Sequence, residues 1–365
     1  METADRVDRP DEERKPHAGG TPAGSGGWRA DEGSGDLQRP YEAARTAAVL
    51  TAPQNRGLIE VSGADRAAWL NNLVTNAVRD LAPGRGVGAF ALNPKGRILF
   101  ETTVLAREDA FWLDVDRRRL DQAIGHLSRY VITERVELRD LSGGFARIGL
   151  LGPRATAVLA EAGLADASSL PVPSWVAVEC PVGPAVVVRR DGPAAESFEL
   201  LVEPSSAELF RRTLLEAGRA HGLIPAVPEA LEVMRVEQGL PAWGQDIDEN
   251  TLPAETGRMQ QMVSFTKGCY LGQEIVERMR SRGGPARLLV GLRFTGAQPV
   301  SPGVPLVSGG QSVGRVTSAV FSWRLGGPVG LGMVKTAFAA PGTRLGVSAP
   351  GGGEAEVVAL PMVGS

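Results

Sequence analysis

The sequence predicts an α+β fold: two mixed sheet–helix domains followed by a small C-terminal β-barrel. Three observations lead there. Up to Pro285, strand-like apolar runs alternate with stripes of helical period. Beyond Pro285, short apolar runs broken by Gly and Pro follow one another: Leu288 to Phe294, Gly314 to Ser318, Val329 to Val334, Leu345 to Val347 and Glu356 to Leu360. That is the pattern of a small barrel. The 46 glycines and 26 prolines require many turns. A chain of 365 residues is long for one core and divides into a disordered tail over 1–40, α+β domains over 41–145 and 146–285, and the barrel over 286–365.

The tail is rich in Gly, Pro, Asp, Glu and Arg, so it buries too little surface to offset its ordering entropy; Trp28 is its one anchor candidate. Gly57 to Gly63 reads as a strand and turn. Ser62 or Asp65 can cap the next helix, whose apolar face is Ala67, Leu70, Leu73, Val74, Val78 and Leu81. Ala89 to Leu92 and Arg97 to Phe100 read as strands joined by the turn Asn93-Pro94-Lys95-Gly96. Ala110 to Val115 is a strand and Asp116 to Tyr130 a helix, with Leu120, Ile124 and Leu127 inward. Its Arg117-Arg118-Arg119 triplet opposes the helix dipole, so it either faces an anion or forms a solvated basic face.

Glu134 to Leu138 and Ala146 to Leu151 are strands, and Gly152-Pro153 turns the latter into a helix over 155–162. Val186 to Val188 and Phe198 to Val202 are strands, and Cys180 reads as structural. Helices follow over Pro204 to Gly222, with Leu209, Leu214 and Leu215 as core candidates, and over Glu229 to Gln238, stopped at Gly239. On the latter, Arg235 and Glu237 either reach a ligand or pair with each other.

Net charge is -3, so no global basic field draws the chain to nucleic acid or an anionic membrane. No apolar run has the length of a membrane span, and the N-terminus lacks the apolar stretch of a secretory signal. The 2 cysteines give no disulfide framework, which fits a cytoplasmic setting. They also fall short of the four thiolates an iron–sulfur cluster takes from one chain. No metal site is expected.

The most informative stretch runs from Thr266 to Gly283. Leu271, Ile275 and Met279 recur every four residues, and Gly283-Gly284-Pro285 stops the stripe. This places Cys269 at or just before a helix N-terminus, with Lys267 two residues earlier. Free backbone N–H groups and a nearby cation favour a thiolate, hence a reactive thiol. The rival reading is a small buried hydrophobe without chemistry.

Lys267-Gly268-Cys269-Tyr270-Leu271-Gly272-Gln273-Glu274 resembles the signature of the YgfZ-type proteins, folate-binding factors in iron–sulfur cluster assembly or repair. These are relatives of the glycine cleavage T-protein, an aminomethyltransferase. Family-like features run from about Leu58 to the C-terminus. They include Leu70 to Asn76, Pro94-Lys95-Gly96-Arg97, Met234 to Asp246 and Gly314 to Ser318. The resemblance implies that the first two domains are interwoven and that the three units form a ring-like arrangement around a folate-sized channel. It further implies tetrahydrofolate as cofactor, iron–sulfur client or assembly proteins as partners, and a monomer.

Carried over residue by residue, it makes Cys269 the reactive thiol with Lys267 beside it, and Glu199, Glu101, Arg235, Glu237 and Tyr270 the folate-binding residues. T-proteins have paired aspartates where this chain has Phe100-Glu101; the phenylalanine breaks the pair. A pterin's ring donors want a carboxylate accepting two hydrogen bonds, and Glu199 is the first choice. Folate's glutamate tail wants cations such as Arg278, Arg280 and Arg282. The leading expectation is a tetrahydrofolate-binding accessory factor for iron–sulfur enzymes, including tRNA-modifying ones. The alternative is a folate-dependent aminomethyltransferase or demethylase. An RNA-binding scaffold is disfavoured by the acidic balance and the lack of interleaved basic and aromatic residues.

Overall fold

Helix α1 (Gln38–Thr46) and strand β1 (Ala48–Thr51) open the part of the chain that the computed structural model describes, namely residues 36–53, 55–167, 169–281, 283–349 and 353–364. Trp28, Arg282 and residues 1–35 of the expected tail lie outside the described residues. Residues 38–40, assigned to the tail, form the first turn of α1.

The first sheet is built from β2 (Arg56–Ser62), β3 (Gly86–Leu92), β4 (Ile98–Ala106), β5 (Ala110–Asp116) and β6 (Glu137–Asp140). They lie in the order β3-β4-β5-β2-β6, every neighbour antiparallel. Helices α2 (Arg66–Asn71) and α3 (Leu120–Ser128) cover one face, burying Leu70, Phe100, Leu113, Leu120 and Leu127 in a common core. Helix α2 stops ten residues short of the predicted Leu81. The Asn71 side-chain oxygen accepts from Val78 N (3.1 Å) and Arg79 N (3.3 Å), and Lys267 Nζ takes the carbonyls of Asn71, Val74 and Asn76. The chain thus turns away from the helix axis, while Leu73, Val74 and Val78 stay buried as the apolar pattern requires.

The second sheet takes β7 (Ala146–Leu151), β8 (Ser174–Cys180), β9 (Gly183–Arg189), β10 (Ser197–Val202) and β11 (Leu223–Pro225), with α4 (Ala155–Glu161) and α5 (Ala207–Ala217) packed on it. Its order is β11-β1-β7-β10-β9-β8. Strand β1 is therefore inserted between β11 (parallel) and β7 (antiparallel). Residues 48–51, assigned by sequence to the first domain, form a strand of the second sheet. In α5 the inward position falls to Phe210 rather than Leu209, which is 55% exposed. The two sheets meet through Leu58, Leu105, Trp112, Val188 and Leu201.

Helix α6 (Pro228–Glu237) leads to α7 (Met259–Met262) and α8 (Gln273–Ser281). The barrel follows: β12 (Arg287–Phe294), β13 (Pro305–Ser308), β14 (Gln311–Ser322), β15 (Gly327–Lys335), β16 (Arg344–Val347) and β17 (Glu354–Val358), closed in the order β12-β15-β14-β13-β16-β17. No helix among the described residues is long and apolar enough to cross a membrane.

Glu237 joins three of these parts. Its buried carboxylate accepts from Tyr41 Oη of α1 at 3.0 Å to each oxygen and from Ser322 Oγ of β14 at 2.5 Å. The Tyr41→Phe variant is expected to lose about 1.5–3 kcal/mol in urea denaturation, because a buried carboxylate forfeits its charge-assisted donor.

Candidate functional site

Strand β4 alternates in burial, so consecutive side chains serve opposite faces. Phe100 points into the core under α2 and α3, whereas Glu101 and Thr103 line a cavity of about 700 Å³. The opposite wall comes from the second sheet, with Gly149 of β7 and Glu199 of β10, and α6 adds Glu232 and Arg235. The broken acidic pair thus costs the cavity no carboxylate: position 100 faces away from it.

Glu199 is 2% exposed and sits in a network of five charges. Its Oε1 accepts from Arg147 Nη1 at 2.6 Å and its Oε2 from Arg190 Nη1. Asp114 of β5 accepts from Arg56 Nε (3.0 Å), Arg147 Nη1 (3.3 Å) and Arg190 Nη2 (2.6 Å). The network therefore ties β2 and β5 of one sheet to β7, β10 and, through Arg190, the residue following β9 of the other. Burial opposes the Asp114 charge, but the guanidinium groups of Arg56, Arg190 and Arg147 outweigh it and hold the carboxyl well below the usual carboxylate range. A carboxylate offers about four lone-pair sites. The two that the arginines occupy on Glu199 leave capacity for two further donors from the cavity.

Across the cavity, Glu101 Oε1 accepts from Arg258 Nη1 at 2.7 Å. Arg235 also lines the cavity, but its donors are engaged by the protein. Nε donates to Glu232 (2.7 Å), Nη1 to Leu240 O (2.5 Å) and Asp246 (2.7 Å), and Nη2 to Glu232 (2.6 Å) and Ser318 Oγ (2.7 Å). A guanidinium has five N–H donors, so Arg235 has none left for a ligand. It positions α6 against the barrel. Glu237, expected at the ligand, does not line the cavity; it is the buried joint described above.

The residues of the cysteine motif lie elsewhere. Cys269, Lys267 and Tyr270 line a separate cavity of about 950 Å³ with Asn72, Arg79 and Tyr130. The helix begins at Gln273, so Cys269 lies just before it, ahead of the turn at Leu271 and Gly272 and outside the first helical turn. The three ammonium donors of Lys267 go to the carbonyls of Asn71, Val74 (2.7 Å) and Asn76 (2.9 Å), which makes it a cap for the α2 segment. Burial, reinforced by the charge of Arg79, pulls its pKa down to about 8. Tyr270 is buried with no hydrogen-bond partner for its hydroxyl among the described residues, and burial, then Glu277, pushes its pKa up to about 12. Arg278 and Arg280 pair with Glu274 and Glu277 on the surface of α8.

Cys269 is nevertheless exposed, while Cys180 is half-buried with its Sγ donating to Gly183 O at 3.2 Å. Cys269 is expected to alkylate several-fold faster than Cys180 at neutral pH, read by mass spectrometry. A ligand in the Glu199 cavity should leave that rate unchanged; protection would place the thiol in the folate site.

Arg56, Asp114, Arg147, Arg190 and Arg258 were not singled out from sequence. The available signal was a charge inside an otherwise apolar strand: Asp114 in β5 and Arg147 in β7. A charge with two apolar neighbours on a buried strand needs a partner.

Two sheet–helix units and a closed barrel, with an ion-paired carboxylate in a cavity between the sheets, define an α+β protein whose cavity has the size of a small-molecule site. Residues 29–267 match the GCVT N-terminal domain and residues 287–363 the glycine cleavage T-protein C-terminal barrel domain, so the chain belongs to this aminomethyltransferase family. It is 32% identical over 355 residues to an aminomethyltransferase of Streptomyces coelicolor, with 94% of each chain covered. To an aminomethyltransferase of Bacillus subtilis it is 27% identical over 327 residues, covering 89% of this chain and 90% of that one. The fold is shared with the glycine cleavage system aminomethyltransferase T of Bartonella henselae, at a TM-score of 0.80, 24% identity, and coverage of 90% of this chain and 89% of that one. These relatives carry the name of the alternative expectation, not that of an iron–sulfur accessory factor.

Proposed function

We propose that the protein binds tetrahydrofolate in the cavity between the two sheets and handles a one-carbon unit there by aminomethyl transfer. The observation that carries this is the placement of Glu199 and Glu101 on facing walls of one cavity. Its volume of about 700 Å³ lies within the range of small-molecule sites. Glu199, fixed by two guanidinium groups with lone pairs to spare, fits the paired donors of a pterin. Glu101 is the carboxylate nearest the reacting end. In the transfer, the carbon–sulfur and carbon–nitrogen bonds of an aminomethylated thiol carrier both break, the methylene carbon bonds to two folate nitrogens, and the amine leaves as ammonia. Of the two protons those nitrogens release, one goes to the carrier sulfur and one to the departing amine. Titration calorimetry with tetrahydrofolate, followed by an assay of methylene-tetrahydrofolate formation from an aminomethylated lipoyl carrier, tests this. Binding with turnover supports it, and absence of binding removes it.

A second reading is favoured by a different observation, the exposed Cys269 in its own cavity within the signature stretch. In it the folate-loaded protein supports iron–sulfur enzymes through that surface. Complementation with Cys269→Ser separates the two. Loss of iron–sulfur enzyme activities with folate turnover intact favours the accessory role, and full complementation removes it.

A further inference from the structure

The pairing of Glu101 with Arg258 has a chemical consequence for the donor. An unpaired carboxylate in a half-buried cavity attracts an ammonium group. Here Arg258 Nη1 stands 2.7 Å from Glu101 Oε1, and the two side chains are 19% and 33% exposed, so the pair is partly shielded from solvent. Arg258 is itself held: its Nη2 contacts Met262 Sδ at 3.5 Å, and its backbone N donates to Thr256 Oγ1 at 3.1 Å. An ammonium approaching Glu101 would have to displace a guanidinium already in place and would meet its charge.

We propose that Arg258 is a specificity-determining residue through which the cavity selects its one-carbon donor by charge, admitting a neutral amine in preference to an ammonium. This rests on the reading of the cavity as the folate and transfer site. Among the described residues, the other charged groups lining the cavity are Arg56, Arg190, Asp191, Glu199, Glu232 and Arg235. None of these is a histidine or cysteine. On this proposal, a pH dependence through neutrality belongs to the donor amine.

The test is the pH profile of kcat/KM for the aminomethylated lipoyl carrier at saturating tetrahydrofolate, in wild type, Arg258→Gln and Arg258→Lys. In the wild type kcat/KM should rise about tenfold per pH unit until the donor amine is neutral. In Arg258→Gln, Glu101 is free to hold the ammonium, so the profile should flatten and the value at pH 7 rise at least tenfold over wild type. Arg258→Lys should keep the wild-type slope. Glu101→Gln leaves Arg258 in place and should also keep the slope, at a lower rate. Coincident profiles for wild type and Arg258→Gln, with folate binding intact, would overturn the inference alone. Loss of the slope in Glu101→Gln would overturn it too, by showing that Glu101 itself titrates. Absence of tetrahydrofolate binding in the wild type would remove both the cavity reading and the inference.

Discussion

Arg147→Met is expected to destabilise the protein by about 3–5 kcal/mol, the cost of breaking a buried ion pair from one side. The arginine side chain is 8% exposed and the Asp114 and Glu199 side chains 5% and 3%, so solvent screens little of the interaction. Arg147 donates to Asp114, to Glu199 and, at 3.4 Å, to the Gly57 carbonyl. Methionine fills part of the volume but leaves two buried carboxylates to share Arg190 and Arg56. The lower urea midpoint should come with altered acid sensitivity. The folded pKa of Asp114 lies below its unfolded value, so its contribution is present above about pH 4 and is lost as pH falls through the folded value. In the variant that loss should begin at higher pH. A midpoint within about 1 kcal/mol of wild type would show that the network contributes no more than a surface pair.

Glu199→Gln is expected to weaken tetrahydrofolate binding by roughly ten- to a hundred-fold, the equivalent of about 1.5–3 kcal/mol for a charge-assisted hydrogen bond in a buried site. The amide keeps the shape but loses half of the acceptor capacity and the charge. It also leaves Arg190 and Arg147 short of one partner, so stability must be measured alongside affinity. A drop in affinity at unchanged urea midpoint assigns the effect to the ligand; wild-type affinity would take Glu199 out of the site.

Five of the six barrel strands were legible because each carries its own apolar run and its own Gly or Pro stop, both local signals; the four-residue β13 was not. The faces of β4 were not legible from sequence, where the predicted strand ends at Phe100; over its full length, Ile98–Ala106, period-two alternation separates Phe100 from Glu101. The five-charge network was not legible. Strand register brings Arg56 to Asp114 in one sheet and Arg147 to Glu199 in the other, and the packing of one sheet on the other joins these pairs with Arg190. The end of α2 was missed for the same reason: the lysine that takes its carbonyls comes from position 267, far along the chain. The cysteine motif was located correctly as a helix approach, but Gly272, with φ of 82°, turns the chain before the helix starts at Gln273. A side chain there would meet the Asn93 carbonyl at 2.7 Å, so the turn depends on glycine. Local periodicity carries no information about such close approaches.

The central claim is that the cavity between the sheets is the folate site, and a crystal structure of the protein soaked with tetrahydrofolate tests it most directly. The account predicts the pterin edge within hydrogen-bond distance of Glu199, with the Glu101–Arg258 pair at the reacting end. Folate bound instead in the cavity of Cys269 and Tyr270, with Glu199 contacting only its arginines, would contradict it.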